Sequence, residues 1–285
     1  MKVKTSRSEK IFQVFNYLFL SFFTIICLYP MWHVVMGSFS DSLELMSHSG
    51  LLLWPKGFSL AAYEKVFQNP MIYTGYSNTL LVLVVSMVIY MVMTALGAYF
   101  FSRKGVYFKK PLMLLVMFTM FFSGGIIPFY LTLKDYNLIG TRWGVILPFM
   151  ISTYNMIILR TAFESIPDSL TEAAKIDGAG HITILFKVIL PLSKATLAVI
   201  ALYYAVSIWN GWFWSSLLLR DRAKHPLQVV LREILITSTV EGDTEGIATT
   251  IKYATTIVAT IPILMIYPML QKHFTKGVMV GAVKG

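Results

Sequence analysis

Six apolar stretches punctuate this chain, near residues 12–37, 77–101, 112–133, 143–159, 195–219 and 253–270. Most run to about twenty residues, the length at which an α-helix crosses a hydrocarbon core about 30 Å thick. In lipid every backbone polar group must be satisfied internally, so only helices and closed barrels can span. A barrel would show shorter segments of alternating polarity, and these runs are continuous. The expected fold class is therefore all-α, a polytopic membrane protein with six transmembrane helices. Composition excludes a soluble globule, with 56% of residues hydrophobic and 13% charged, against about a quarter charged in soluble domains.

The net charge of +10 invites a nucleic-acid reading, but the positions of the charges answer it. The N-terminus, the 102–110 loop, the 160–194 loop and the tail from 271 hold fifteen Lys and Arg, while the alternate loops hold eight. That asymmetry is the positive-inside pattern. It places both termini and the 160–194 loop in the cytoplasm and the chain, multi-pass, in the cell (cytoplasmic or inner) membrane. Lys2, Lys4, Arg7 and Lys10 precede the first apolar run as they would in a signal peptide. The run is too long and lacks a small-residue cleavage pattern before Met36, so an uncleaved first helix is expected. Cys27 is single, can form no internal disulfide and fits no metal-ligand spacing. No metal or cofactor is expected on this chain.

The organisation expected is an N-terminal part, 1–73, with the first helix and an outer segment; a core membrane domain, 74–270, with five helices and the loop 160–194; and a cytoplasmic tail, 271–285. The outer segment from Ser38 to Tyr76 is rich in turns, with Trp54-Pro55-Lys56-Gly57-Phe58 and Asn69-Pro70, and is weakly amphipathic from Ala61 to Phe67. Gly124, Gly125 and Pro128 should break or bend the third helix near its outer end. Beyond the fifth helix, Leu227 to Ile236 shows helical spacing of apolar residues.

Between the fourth and fifth stretches lies a polar segment that needs a reason to stay ordered on one membrane face, and a docking soluble partner supplies one. Pro167-Asp168-Ser169-Leu170-Thr171-Glu172 reads as a helix start, with Asp168 or Ser169 capping and Glu172 reaching back as a capping-box carboxylate. Ala173, Ala174 and Lys175 continue the helix, and Asp177-Gly178-Ala179-Gly180 stops it. A second helix, Ile182 to Val188, runs to Leu190-Pro191 and feeds the fifth span. An amphipathic re-entry loop with no partner would use many of the same residues. The energy source is argued from absence. None of the six spans carries Asp, Glu, Lys or Arg in its interior, whereas ion-coupled carriers need such groups at membrane depth. No G-x-x-x-x-G-K-[ST] loop is present, so the chain is not expected to be an enzyme and energy must enter from another subunit.

Glu172-Ala173-Ala174, then Gly178 and Leu190-Pro191 at matching spacing, resemble the coupling loop of importer-type ABC permeases. Asn78-Thr79-Leu80, Ala98-Tyr99, Ser123-Gly124-Gly125-Ile126-Ile127-Pro128, Leu159-Arg160-Thr161-Ala162-Phe163 and the tail Lys276 to Gly285 are similar to the carbohydrate-uptake branch, the maltose-transporter type for oligosaccharides and polysaccharide fragments. Val188 departs from the usual Ile conservatively. The resemblance implies a type I ABC importer permease fold and an ATP-driven importer. In it this chain and a second homologous permease form the path, two copies of a cytoplasmic ATPase drive it, and an external solute-binding protein delivers the sugar. It also implies that Glu172, Ala173, Ala174, Asp177, Gly178, Leu190 and Pro191 serve ATPase coupling, and that ATP is bound by the partner. A permease for another small solute, an ion-coupled carrier or channel, and a membrane anchor are the rival readings.

For the substrate path the candidates are Tyr154, Asn155, Tyr203, Trp209 and Asn210. Aromatic faces stack on sugar C–H faces and amides hydrogen-bond hydroxyls. Trp212 and Trp214 read equally as an interfacial aromatic belt, and Asn155 as a helix–helix hydrogen bond. Arg220, Arg222, Lys224 and Arg232 make the following loop basic, suited either to an acidic sugar or to solvent alone.

Overall fold

The computed structural model describes residues 6–237 and 249–265. The expected tail, 271–285, and the end of the sixth span lie outside the described residues. Within them all extended regular structure is helical, apart from one isolated bridge between Ser40 and Phe58.

Helix α1, Arg7–Ser38, opens on a capping box in which Ser6 and Glu9 exchange hydrogen bonds of 2.7 and 3.2 Å. Its apolar side chains face outward all round, the pattern of a helix surrounded by lipid or membrane partners: Phe12, Phe15, Leu18, Phe22 and Ile25 are all exposed on the isolated chain. The segment after it folds into short helices α2, Ser42–Ser47, and α3, Ala61–Gln68. Trp32 donates its indole N–H to the Leu53 carbonyl at 3.0 Å, and the Leu52 N–H donates to the Tyr29 hydroxyl at 3.1 Å, so this segment is strapped to α1.

The second span is α4, Pro70–Ser102. The third is broken, as Gly124 and Gly125 require: α5, Lys109–Phe121, and α6, Ile126–Asp135, meet at 114°. Gly125 holds φ +88°, open to glycine at no steric cost. The fourth is also broken. α7, Trp143–Ile146, continues as a 3₁₀ turn to Phe149, and α8, Thr153–Glu164, leaves at 45°. Pro148 has no N–H to return to the preceding turn, so a straight helix cannot pass through it. Then come α9, Asp168–Ile176, α10, His181–Leu192, α11, Lys194–Trp209, α12, Trp212–Leu218, α13, Leu227–Thr237, and the apolar α14, Thr249–Met265. Each of the six apolar stretches is thus mainly helical where described, although among the described residues only α1 and α4 are straight helices long enough to cross a membrane, and up to five spans result if each bent pair is one. The length signal is right for helix and silent on bends.

Two compact units divide the chain at Pro70/Met71, Val230/Leu231 and Ile261/Pro262. In the first, Gly37 lies flat against Tyr253, where a Cβ would come within 2.5 Å of the ring, and His33 Nε2 meets the Tyr253 hydroxyl at 3.3 Å. The second has a core of Ala98, Leu159, Phe163, Ile189 and Ile200, all fully buried. Along α4, Asn78, Val82, Ser86, Tyr90, Thr94 and Ala98 are buried at every fourth position. Their spacing keeps them near one face, and the small ones let neighbouring backbones close in. Gly144 touches the Leu138 backbone carbonyl, which a Cβ would overlap and which cannot rotate away. Gly144→Ala is therefore expected to cost about 1–3 kcal/mol and to lower the melting temperature of the purified protein; an unchanged melting temperature would contradict this packing.

Candidate functional site

The 160–194 segment forms two helices with one face on the core and one face bare. Pro167 occupies the N-cap of α9, with no side-chain cap. The expected capping box is therefore absent. Asp168 is the first helical residue, and its carboxylate accepts from Lys104 Nζ at 2.5 Å. Lys104 holds Asp168 below the usual carboxylate range, and Asp168 in turn raises the Lys104 ammonium. Both groups lie in the aqueous loops, where such a pair contributes little to stability. Glu172 projects outward from α9, without a hydrogen bond among the described residues. Thr171 is buried and Ala174 packs on the core, whereas Ala173, Lys175 and Ile176 are exposed, Ile176 at 86%.

The helix stops in a Schellman motif. The Ala179 N–H donates to the Ala174 carbonyl at 2.9 Å and the Gly178 N–H to the Lys175 carbonyl at 3.0 Å. Asp177 is the C-cap, and Gly178 holds φ +79°. In α10, Ile184, Leu185 and Ile189 are buried while Ile182 and Phe186, one turn apart, point outward. Pro191 cannot bond the Lys187 carbonyl, and the chain runs through a π turn at Leu185–Ile189 before it. Leu190 packs on the core, Pro191 is exposed, and the chain then turns 87° into α11. The Tyr99 hydroxyl meets His181 Nδ1 at 3.2 Å, while Arg103 stacks on Tyr99 and reaches the Phe163 carbonyl. These contacts tie the bare-faced loop to the end of α4.

Two cavities flank α11. One, of about 350 Å³, is lined by Tyr90, Phe149, Ser152, Tyr204, Ser207 and Trp214 among others. The second, of about 260 Å³ and more open, brings together Ser152, Tyr154, Asn155, Tyr203, Tyr204 and Ser207. Three of the five sequence candidates, Tyr154, Asn155 and Tyr203, thus share one cavity. No hydrogen bond ties the Asn155 amide to another helix among the described residues. Trp209 is buried instead against Tyr76, with ring centroids 6.4 Å apart. Asn210 is the exposed C-cap of α11. Trp214 is no belt residue, because it packs on Phe129 and Phe149 at 4.7 and 5.7 Å and lines the first cavity.

Asn78 and Thr79 also acquire a structural role. The Asn78 amide donates to the Ala223 and His225 carbonyls at 2.7 and 3.2 Å and accepts from Arg142 at 2.7 Å. The Thr79 hydroxyl accepts from the Leu227 N–H at 2.8 Å and so caps α13. Gly75 allows the approach, since a Cβ there would lie 3.1 Å from Leu227 Cα. Lys224 donates to the Gly140 carbonyl at 3.0 Å, and Arg220 to the Tyr130 hydroxyl at 3.2 Å. Two of the four basic side chains suggested for an acidic sugar therefore hold their own loop in place.

Comparison with known proteins adds the family context. Residues 80–280 match the family described as binding-protein-dependent transport system inner membrane component. The polygalacturonan/rhamnogalacturonan transport system permease protein YtcP of Bacillus subtilis (strain 168) is 43% identical over 97% of this chain and 99% of its own length. Protein LplC of the same organism is 40% identical, covering 98% and 97%. A chain from the crystal structure of a bacterial ABC transporter involved in the import of the acidic polysaccharide alginate aligns with a TM-score of 0.89. It is 33% identical, over 96% of this chain and all of that one.

Proposed function

The chain belongs to the family of binding-protein-dependent transport system inner membrane components, and on that premise we propose that it forms half of the path by which an ATP-driven importer takes up an acidic oligosaccharide. The single observation that carries the coupling half of this reading is the two-sided 160–194 loop. It buries Thr171, Ile184, Leu185 and Ile189 and leaves Glu172, Ile176, Ile182 and Phe186 bare. An exposed apolar face on a loop between spans suits a soluble partner. Here that partner is an ATPase, present in two copies on the cytoplasmic side with both termini of this chain. Glu172 would make a polar contact in its groove, with Ala173, Ile176, Ile182 and Phe186 as the apolar surface, and Ala174, Ile184 and Leu185 would hold that surface to the core from behind. Asp177 and Gly178 would shape the turn, and Leu190 and Pro191 the return to the membrane. ATP is bound and hydrolysed on that partner, and this chain does no covalent chemistry.

A second, homologous permease completes the path within the lipid bilayer, and an external solute-binding protein delivers the sugar. Tyr154, Asn155 and Tyr203 offer a stacking face and an amide to a sugar ring. The acidic class is taken from the alginate importer and the polygalacturonan permease, whose named polymers consist of or contain uronic acids. The test is uptake by vesicles holding the complete transporter and its loaded binding protein. Galacturonate oligosaccharides should enter with ATP and fail to enter without it. Uptake of neutral oligosaccharides alone would overturn the substrate class. Uptake driven by a sodium or proton gradient without ATP would favour the ion-coupled reading.

A further inference from the structure

The break in the fourth span poses a backbone problem that two tyrosines solve. Between the turn ending at Phe149 and the start of α8 at Thr153, the chain cannot pair its own N–H and C=O groups as a continuous helix does. On one side of the break Tyr90 donates its hydroxyl to the Ile146 carbonyl at 2.9 Å. On the other the Ser152 N–H donates to the Tyr204 hydroxyl at 2.9 Å. The Thr94 hydroxyl lies 2.6 Å from that same Tyr204 oxygen. The rings pack edge to face at 5.2 Å, with Tyr90 3% and Tyr204 4% exposed.

Both tyrosines also wall the 350 Å³ cavity, together with Phe149, Ile151 and Ser152 of the break itself. From the break, α8 runs straight to Glu164, and Pro167 then opens α9 of the bare-faced loop. The same two tyrosines thus line the space and complete the backbone at the bend.

We propose that Tyr90 and Tyr204 are positioning residues that set the angle of the fourth span, and so link what occupies the cavity to the placement of the 160–194 loop. A phenol hydroxyl has one proton and two acceptor sites. A sugar hydroxyl entering the cavity competes with Ser152 and Thr94 for the Tyr204 oxygen, and a freed Ser152 N–H loosens the bend. Coupling between cavity and loop then runs through the hydrogen bonds that hold the bend.

This inference rests on the reading of the chain as a permease half. Its test uses the complete transporter in lipid nanodiscs, with ATPase activity measured against unloaded and loaded binding protein. Tyr204→Phe and Tyr90→Phe remove one hydroxyl each and keep the rings, whereas Thr94→Ser keeps its hydroxyl. Both Phe variants should assemble, and the stimulation by loaded binding protein should fall about five-fold or more, the lower range of coupling between distant sites. Thr94→Ser should behave as wild type. A fall in stimulation of less than about five-fold in both Phe variants would overturn the proposal, and if Tyr204→Phe does not assemble, Tyr90→Phe decides. Hydrogen exchange at the Ser152 amide separates the two levels of the argument. A wild-type complex without stimulation contradicts the permease reading, while equal Ser152 protection in wild type and Tyr204→Phe contradicts the clasp.

Discussion

Ile176→Asp is expected to strip the ATPase from the transporter and leave the permease folded. Ile176 is 86% exposed at the end of α9 and makes no core contact that a carboxylate would lose. Ile176 is the last residue of α9, where an added carboxylate opposes the helix dipole and costs about 0.3–1 kcal/mol. On folding grounds alone Ile176→Asp therefore lowers the melting temperature slightly and leaves the permease folded. If Ile176 anchors a docking face with Ile182 and Phe186, it places a charge where an interface desolvates. Anchors of that kind contribute about 2 kcal/mol or more, so ATPase affinity should drop by more than about ten-fold. Titration of the purified ATPase onto detergent-solubilised permease pairs reads the affinity, and a melting curve reads the fold. Unchanged affinity would place Ile176 outside the interface. A collapsed melting curve would assign it a packing role that its exposure denies.

The second large effect is expected at Asn78, on the part of the chain that holds the 219–227 loop. Its amide makes two donated bonds to backbone carbonyls and takes one from the Arg142 guanidinium. Asn78 is 5% exposed, so none of these bonds is simply replaced by bulk water. Asn78→Leu keeps the volume and removes all three. With one charge-assisted bond and two neutral ones lost, the local cost is about 2–4 kcal/mol. The loss should appear as faster hydrogen exchange at residues 219–227 and reduced uptake, with the 160–194 loop still able to hold the ATPase. Exchange in 219–227 unchanged from wild type would show that Thr79 and Lys224 alone suffice.

The α-helical membrane class and the helical character of the apolar stretches were legible in the residues, because each rests on local physics, although the described residues hold two straight spans, or up to five with each bent pair counted as one, where six were expected. Run length set the spans, the charge of the loops supported a topology, and Gly178 with Leu190-Pro191 marked a turn and a return. The breaks were only partly legible. Gly124-Gly125 announced the 114° bend, yet Pro148 inside an apolar run was passed over although it carries the same message. The capping box failed because the helix starts one residue early: Pro167 takes the N-cap, so Asp168 is already inside the helix and its carboxylate meets Lys104 instead. The path candidates split for a similar reason. Helix phase turns Trp209 onto Tyr76 and leaves Asn210 exposed at the C-cap position, whereas Tyr154, Asn155 and Tyr203 line one cavity. Tyr90 and Thr94 were missed altogether. The available signal was their four-residue spacing with Asn78 and Ser86 along an otherwise apolar α4, a polar row that has to face protein rather than lipid.

The most direct test of the central claim is the composition of the complex purified through a tag on this chain from its native host. It should be compared between wild type and a Glu172→Ala, Gly178→Val double variant, whose valine cannot hold φ +79° without strain. The account predicts an ATPase and a second permease with the wild type, and the second permease alone with the variant. A wild-type complex lacking any ATPase, or an ATPase retained undiminished by the variant, would contradict it.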